Sequence, residues 1–116
     1  MADDTQVLLA IPSPAPKVRP EEIERVLAIL AKSGKWMTAL EIAQEHGLTY
    51  RKVRAIAAAA GDRILSFPGS PGYRLFRQAT IEEVSRAIDA TEHQAHEMMR
   101  RSIAWRRAYH SRRVAA

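Results

Sequence analysis

The segment TALEIAQEHGLTYRKVRAIAA, residues 38–58, predicts two short helices packed around a tight turn. Thr38 and Glu41 have the spacing of a capping box, in which each side chain bonds the backbone N–H of the other residue, and they start the first helix. Gly47 ends that helix, because glycine adopts the positive φ of a helix C-terminus without strain. Thr49 starts the second helix, which we expect to end at Gly61.

Apolar residues in the same segment recur at spacings that give each helix one buried side. In the second helix, Val53 and Ile56 follow the spacing of an inward face. In the first helix we expect Leu40 and Ala43 to be buried, and the small Ala43 allows the two helices to cross closely. Leu48, directly after the turn, completes a core that both helices share.

Helix and turn signals on both sides extend this unit. Upstream, Pro20 suits a first helical position, and Gly34 ends the amphipathic helix that starts there. Downstream, two short apolar runs at 64–67 and 73–76 flank a turn rich in glycine and proline, which predicts a β-hairpin. The predicted fold class is mainly α with a small β-hairpin.

The order of these elements resembles the winged helix-turn-helix domain. The spacing of Ala43, Gly47, Leu48, Val53 and Ile56 is similar to the helix-turn-helix signature, and the hairpin looks like the wing. The return strand Gly-Tyr-Arg-Leu, residues 72–75, is most similar to that of the biotin-repressor type. The resemblance implies a winged helix-turn-helix domain over residues 20–78, whose second signature helix enters the major groove of double-stranded DNA.

The resemblance implies a set of DNA contacts on that helix and on the wing. Arg51 and Arg54 are the expected base contacts, since arginine is the commonest reader of guanine edges. Lys52 is an expected phosphate contact, and the helix N-terminus at Thr49 suits a phosphate as well. The remaining expected contacts are Tyr50 on the helix and Arg63, Ser70 and Arg74 around the hairpin. Because the hairpin tip carries no charge, we do not expect an arginine inserted deep in the minor groove.

A long helix is predicted after the hairpin, over residues 79–110. Thr80 and Glu83 form a second capping box, and apolar residues then follow a heptad spacing that favours pairing with a second copy of the chain. The expected dimerisation residues are Ile81, Val84, Ile88, Ala95, Met98 and Trp105. Because such a helix is longer than a domain of this size, it either projects and pairs or breaks near residue 90 and folds back.

The formal net charge of +5 lies entirely in the last 20 residues. Residues 1–96 carry equal numbers of acidic and basic side chains, whereas residues 97–116 carry one glutamate and six arginines. These are Arg100, Arg101, Arg106, Arg107, Arg112 and Arg113. Pairs spaced six apart spread around a helix axis, which favours a frayed cationic tail that wraps the DNA phosphates, with residues 111–116 as its end. An acidic protein groove is an alternative; an anionic membrane surface is disfavoured by the poor amphipathicity of this region.

Several classes of protein are excluded or disfavoured. The absence of cysteine excludes disulfides, thiol catalysis and cysteine-based zinc sites. No apolar run approaches the length of a membrane span, and the acidic N-terminus lacks the basic start of a secretory signal, so we expect a cytoplasmic protein. Residues 1–19 contain Pro12, Pro14 and Pro16 and are expected to form an extended tail, with an apolar run at 7–11 that either frays or docks as a lone strand.

No pattern of catalytic residues is present, so we expect a protein that is not an enzyme and needs no cofactor. The His and Glu residues at 92–97 are more typical of local polar pairs than of a metal site. The leading interpretation is a small DNA-binding protein, either a transcriptional regulator or a replication accessory of the phage and prophage type. The alternative is an interaction module that binds a host replication, transcription or nuclease protein.

Overall fold

The structure, a computed structural model, describes residues 16–115. The apolar run at 7–11 and most of the predicted proline-rich tail lie outside the described residues. Within them are four α-helices and one two-stranded antiparallel sheet, which confirms a mainly helical fold with a small hairpin and a long C-terminal helix. The helices are α1 (Pro20–Ser33), α2 (Ala39–His46), α3 (Tyr50–Ala60) and α4 (Ile81–Ala115), and the strands are β1 (Ile64–Leu65) and β2 (Arg74–Leu75).

Local signals set the ends of the first three helices as the sequence predicts. Pro20 is the first residue of α1, and Gly34 ends it with φ of 64°. At the start of α2, the Glu41 backbone N–H donates to Thr38 Oγ1 at 3.1 Å, and the Thr38 N–H donates to the Glu41 carboxylate at 2.9 Å. Gly47 then takes the left-handed conformation with φ of 63°. These caps fix where each helix starts and stops, and therefore which side faces inward.

The core lies where α1, α2 and α3 meet. Its fully buried side chains are Val26, Leu30, Ile42, Val53 and Ile56. The predicted burial of Leu40 is wrong, since Leu40 is 49% exposed while Ala39 and Ile42 are buried. The physical reason is the direction in which each side chain projects. At about 100° per residue, the side of α2 that faces the core contains residues 39, 42 and 43, and Leu40 projects away from it.

The hairpin is shorter than predicted but has an additional neighbour. Ile64 pairs with Leu75, and both are buried. Beyond the strands, Met37 forms a bridge with Tyr73, with N–H···O distances of 2.9 and 2.7 Å, so the hairpin is bonded to the segment before α2. A Cβ on Gly72 would lie 2.2 Å from the Met37 carbonyl oxygen, so only glycine permits this approach.

The C-terminal helix α4 runs 35 residues without interruption, a length of about 52 Å. The predicted capping box at its start is confirmed, while the alternative of a break near residue 90 is wrong. The helix also continues to Ala115, so the arginine pairs expected to lie on a frayed tail are helical. Ala87 is buried against the domain, whereas residues 91–113 are exposed apart from two half-buried positions. Most of α4 therefore extends beyond the domain.

Candidate functional site

An open groove of about 560 Å³ lies between α3, the hairpin turn and α4. Tyr50 and Arg54 form the wall on α3, and residues 66–73 form the wall on the hairpin. Thr91 and Gln94 of α4 close the third side. Thr38 and Ala39 at the start of α2 complete the lining, so the groove brings residues from four separated parts of the chain to one surface.

The first turn of α3 gives one end of this groove a positive character. It contains no acidic residue, and Tyr50, Arg51 and Arg54 lie on its exposed side. Thr49 caps the helix, since its Oγ1 accepts the Lys52 backbone N–H at 3.1 Å. The free N–H groups and dipole of a helix N-terminus favour anions, and no carboxylate in this turn opposes them.

Lys52, predicted to contact phosphate, is instead held against α1. Its Nζ lies 3.2 Å from a Glu22 carboxylate oxygen and donates to the Lys17 carbonyl. The hydrogen bond from the Arg19 backbone N–H, together with Lys52, holds the pKa of Glu22 below its ordinary value. The Lys52 ammonium is therefore engaged by neighbours on the α1 side, and its role in the structure is to join α1 to α3.

Arg74, predicted as a wing contact, lies in a network inside the domain. Its guanidinium lies 3.3 Å from the Glu83 carboxylate and donates to the Gly34 carbonyl at 3.1 Å. The same carboxylate accepts the Trp36 indole N–H at 2.5 Å and the Thr80 backbone N–H at 2.8 Å. The Thr80 hydrogen bond, then the Trp36 bond, lowers the pKa of Glu83. Arg74 therefore connects β2 to the start of α4. Its guanidinium is bonded to these partners and is not directed into the groove.

The other two predicted hairpin contacts also have structural partners. Arg63 follows α3 at the end opposite Tyr50, where its Nε donates to the Ala60 carbonyl at 3.1 Å and its Nη1 lies 3.5 Å from Glu24. It is therefore separated from the groove by the length of α3. Ser70 lines the groove, but its hydroxyl bonds the Phe67 N–H and the Gly72 carbonyl and so shapes the turn.

The six arginines that follow residue 99 in α4 are exposed and arranged in three lengthwise rows. At about 100° per residue, positions seven or eleven apart coincide, so the rows are Arg100 with Arg107, Arg106 with Arg113, and Arg101 with Arg112. Two arginines stack on aromatic rings of the same helix: Arg101 lies 5.0 Å from the ring centre of Trp105, and Arg113 lies 5.8 Å from that of Tyr109. The distal part of α4 is thus a rod with positive charge on every side.

The predicted dimerisation residues all lie on one side of α4. Five of them are exposed and Val84 is half-buried. The residues that sequence reasoning missed are Thr38, Thr91 and Gln94 as groove walls, and Glu83 as the joint between α4 and the domain. Local signals mark Thr38 and Glu83 only as capping residues, and these additional roles depend on the path of α4 past the hairpin.

Comparisons with protein-family models, curated proteins and solved structures find no match to this chain. Among the described residues, no three His, Cys, Asp or Glu side chains lie together as a metal site would require. No helix within residues 16–115 has both the length and the apolar character needed to cross a bilayer. The geometry of the groove and of α4 is therefore the basis for any assignment of function.

Proposed function

We propose that residues 20–78 form a winged helix-turn-helix domain and that the protein binds double-stranded DNA through α3. The observation that carries this proposal is the groove. In it, Tyr50 and Arg54 of an acid-free helix end lie beside a hairpin turn, which is the arrangement of a recognition helix and its wing. An α-helix fits the major groove of B-DNA, which is about 12 Å wide.

In this proposal, α3 reads a short sequence. Arg54 projects from the exposed side one turn after Tyr50, and a guanidinium there bonds the O6 and N7 acceptors of a guanine. Arg51 lies in the first turn on the same exposed side and is the second base contact. Beyond them, the exposed Ala58 and Ala59 offer only methyl groups, which suit thymine methyls. Readout is therefore confined to the first two turns of α3.

The structure supports a smaller set of contacts from the domain than the sequence predicts. Lys52, Arg63 and Arg74 are engaged by Glu22, Glu24 and Glu83, so the affinity for phosphates has to come from another part of the chain. The arginine rows of α4 are suited to this role. If they neutralise about five phosphates, log K falls with log salt at a slope of roughly −4 to −5.

In this proposal, the groove and α4 have different roles in binding DNA. The groove selects the site, and α4 supplies affinity that depends on salt and not on sequence. In this proposal, a small protein with these two properties acts as a transcriptional regulator or a replication accessory of the phage type, in the cytoplasm of a bacterial cell. This biological setting rests on the resemblance to winged helix-turn-helix proteins.

The proposal is tested by selecting preferred duplexes from a random pool at physiological salt and measuring affinity for the selected site. Arg54→Ala should weaken binding to that site about 5- to 150-fold and leave binding to unrelated duplex nearly unchanged. Arg25→Ala is the matched control, since Arg25 is an exposed arginine on α1, and it should change affinity less than about threefold.

Truncation after residue 96 tests the second role. The slope of log K against log salt should become less steep by roughly 4 to 5, because the arginines of α4 are lost. The binding that remains should keep its sequence preference. If Arg54→Ala and Arg51→Ala leave affinity for the selected site unchanged while the truncation abolishes all binding, specific readout by α3 is wrong. If no duplex is enriched and binding is undetectable at low salt, the DNA-binding function is wrong and an interaction module takes its place.

A further inference from the structure

The part of α4 that extends beyond the domain has an exposed apolar side. Met99 is 62% exposed, Trp105 is 64% exposed, and Ile88, Met98 and Tyr109 are each more than half exposed. Heptad spacing, typical of a helix that packs lengthwise on another helix, is followed by Ile88, Ala95, Met98, Trp105 and Tyr109, and Met99 lies at the edge of this row. Large apolar side chains at this spacing lose contact with water when such a partner is present.

The domain leaves this apolar side open. Ala87 is buried against the domain, whereas Ile88, turned about 100° away, is 52% exposed. Thr91, which also follows the heptad spacing, lines the groove together with Gln94, whereas Ala95 is turned about 80° and Met99 about 120° from Ala87. Residues 91–113 are exposed apart from two half-buried positions, so a second helix can lie along this stretch of α4 without displacing the contacts that Glu83 and Ala87 make with their own domain.

Charge along α4 is divided into two blocks of opposite sign. Residues 81–97 carry five acidic side chains and one arginine, a net charge of −4. Residues 98–115 carry six arginines and no acidic side chain, a net charge of +6. Two copies of α4 running in the same direction would place like blocks together, whereas copies running in opposite directions place each acidic block beside a basic one.

Individual residue pairs in the heptad register also favour the antiparallel orientation. In a parallel pair, Arg101 lies across from Arg106 of the second copy, and symmetry repeats this repulsion. In an antiparallel pair with Met98 across from Ser102 of the second copy, Glu92 lies across from Arg106 of the second copy. Symmetry repeats that attraction. The two Met99 side chains meet on one flank of the two-fold axis and the two Arg101 side chains on the other, so two attractive pairs outweigh one repulsive pair.

We infer that α4 is a homodimerisation surface on which a second copy of this chain packs in antiparallel orientation. The two domains then lie toward opposite ends of the helix pair. The row of Arg100 and Arg107 faces away from the seam and remains exposed in the dimer. This inference does not depend on DNA binding, and its tests are carried out without nucleic acid.

Charge reversal measured by sedimentation equilibrium tests the pairing of Glu92 with Arg106. Glu92→Arg and Arg106→Glu should each weaken the dimer about tenfold, because two attractive pairs become repulsive, and the double variant should restore it. Asp89→Arg and Arg107→Glu make the same charge changes outside the seam and should have smaller effects. A monomeric wild-type protein at tens of micromolar, or a double variant no stronger than the weaker single variant, would overturn the inference.

Disulfide trapping tests the orientation, and the cysteine-free chain gives no background. Thr91→Cys and Tyr109→Cys lie at exposed positions, so both variants should fold, which circular dichroism checks. Under mild oxidation each variant alone should stay uncrosslinked, and an equimolar mixture should form a disulfide-linked dimer. Efficient crosslinking of each variant with itself means parallel packing and overturns the inference, as does a mixture that stays uncrosslinked.

Discussion

Replacing Glu83 with glutamine should loosen the joint between α4 and the domain. The carboxylate accepts the Trp36 indole N–H at 2.5 Å and lies 3.3 Å from the Arg74 guanidinium. Glutamine has nearly the same size but keeps only one acceptor oxygen. When that oxygen accepts the Thr80 N–H, the NH₂ group in place of the second oxygen cannot accept from Trp36 or Arg74. A hydrogen bond to a charged acceptor contributes about 1.5–3 kcal/mol. Since the Glu83 side chain is 23% exposed, we expect the free energy of unfolding to fall by about 2 kcal/mol.

Urea denaturation and a thermal melt measure this effect, and the melting temperature should fall by about 8 °C. The matched control is Glu82→Gln, which removes the same charge from the same helical turn at an exposed position. Both variants lose an acidic side chain near the positive end of α4, so the helix dipole contributes equally to each. The control should lose less than about 0.5 kcal/mol, and the difference between the two variants isolates the joint.

The pH dependence provides an independent check on the same carboxylate. The pKa of Glu83 lies below its ordinary value of 4.5, mainly because of the hydrogen bond from the Thr80 N–H and then that from Trp36. A carboxylate with a depressed folded-state pKa stabilises the protein above its unfolded pKa, and this contribution is lost as the pH falls through the folded pKa. The stability gap between wild type and Glu83→Gln should therefore be full near neutral pH and shrink below about pH 4.5. A gap that stays constant down to about pH 2, or a Glu83→Gln variant as stable as Glu82→Gln, would refute this reasoning.

Two further predictions concern a helix cap and a close backbone approach. Thr49→Ala removes the oxygen that accepts the Lys52 N–H and should lower the free energy of unfolding by about 1 kcal/mol in a urea titration, whereas Thr49→Ser should leave it nearly unchanged. Gly72→Ala would place a methyl group 2.2 Å from the Met37 carbonyl oxygen and should lower the melting temperature far more than Gly69→Ala, whose added methyl meets nothing within 4 Å. Equal losses for the two glycine variants would contradict the close approach.

Features that depend on residues close in sequence could be predicted. The capping boxes at Thr38 and Thr80 act over three residues, and the glycines at 34 and 47 act on their own backbone, so the limits of these helices follow from local chemistry. The hairpin was predicted from the glycine- and proline-rich turn between two apolar runs. These signals do not need any knowledge of how the helices pack.

Features that depend on distant residues could not be predicted. The sequence shows that Arg74 and Lys52 are basic, but not that Glu83 and Glu22 lie beside them. Such pairs form only when packing brings two elements together, and they decide which cations face solvent. Leu40 was misplaced for a related reason: its spacing fits a buried position, and the starting phase of α2 turns it outward. The groove itself requires α4 to pass the hairpin, which no local pattern indicates.

The continuity of α4 has a consequence for chain length. Along a helix, each residue is rotated by about 100° and advanced by about 1.5 Å from the one before. The direction of the distal arginines relative to the domain is therefore fixed by the number of α4 residues between Glu83 and those arginines. One residue inserted between Ala90 and Glu97 would rotate every later side chain by about 100° around the axis. Seven inserted residues would restore the original facing to within about 20° while moving the arginines about 10 Å outward. A flexible linker of equal length would fix neither the direction of the arginines nor their distance from the domain. The helix α4 fixes both.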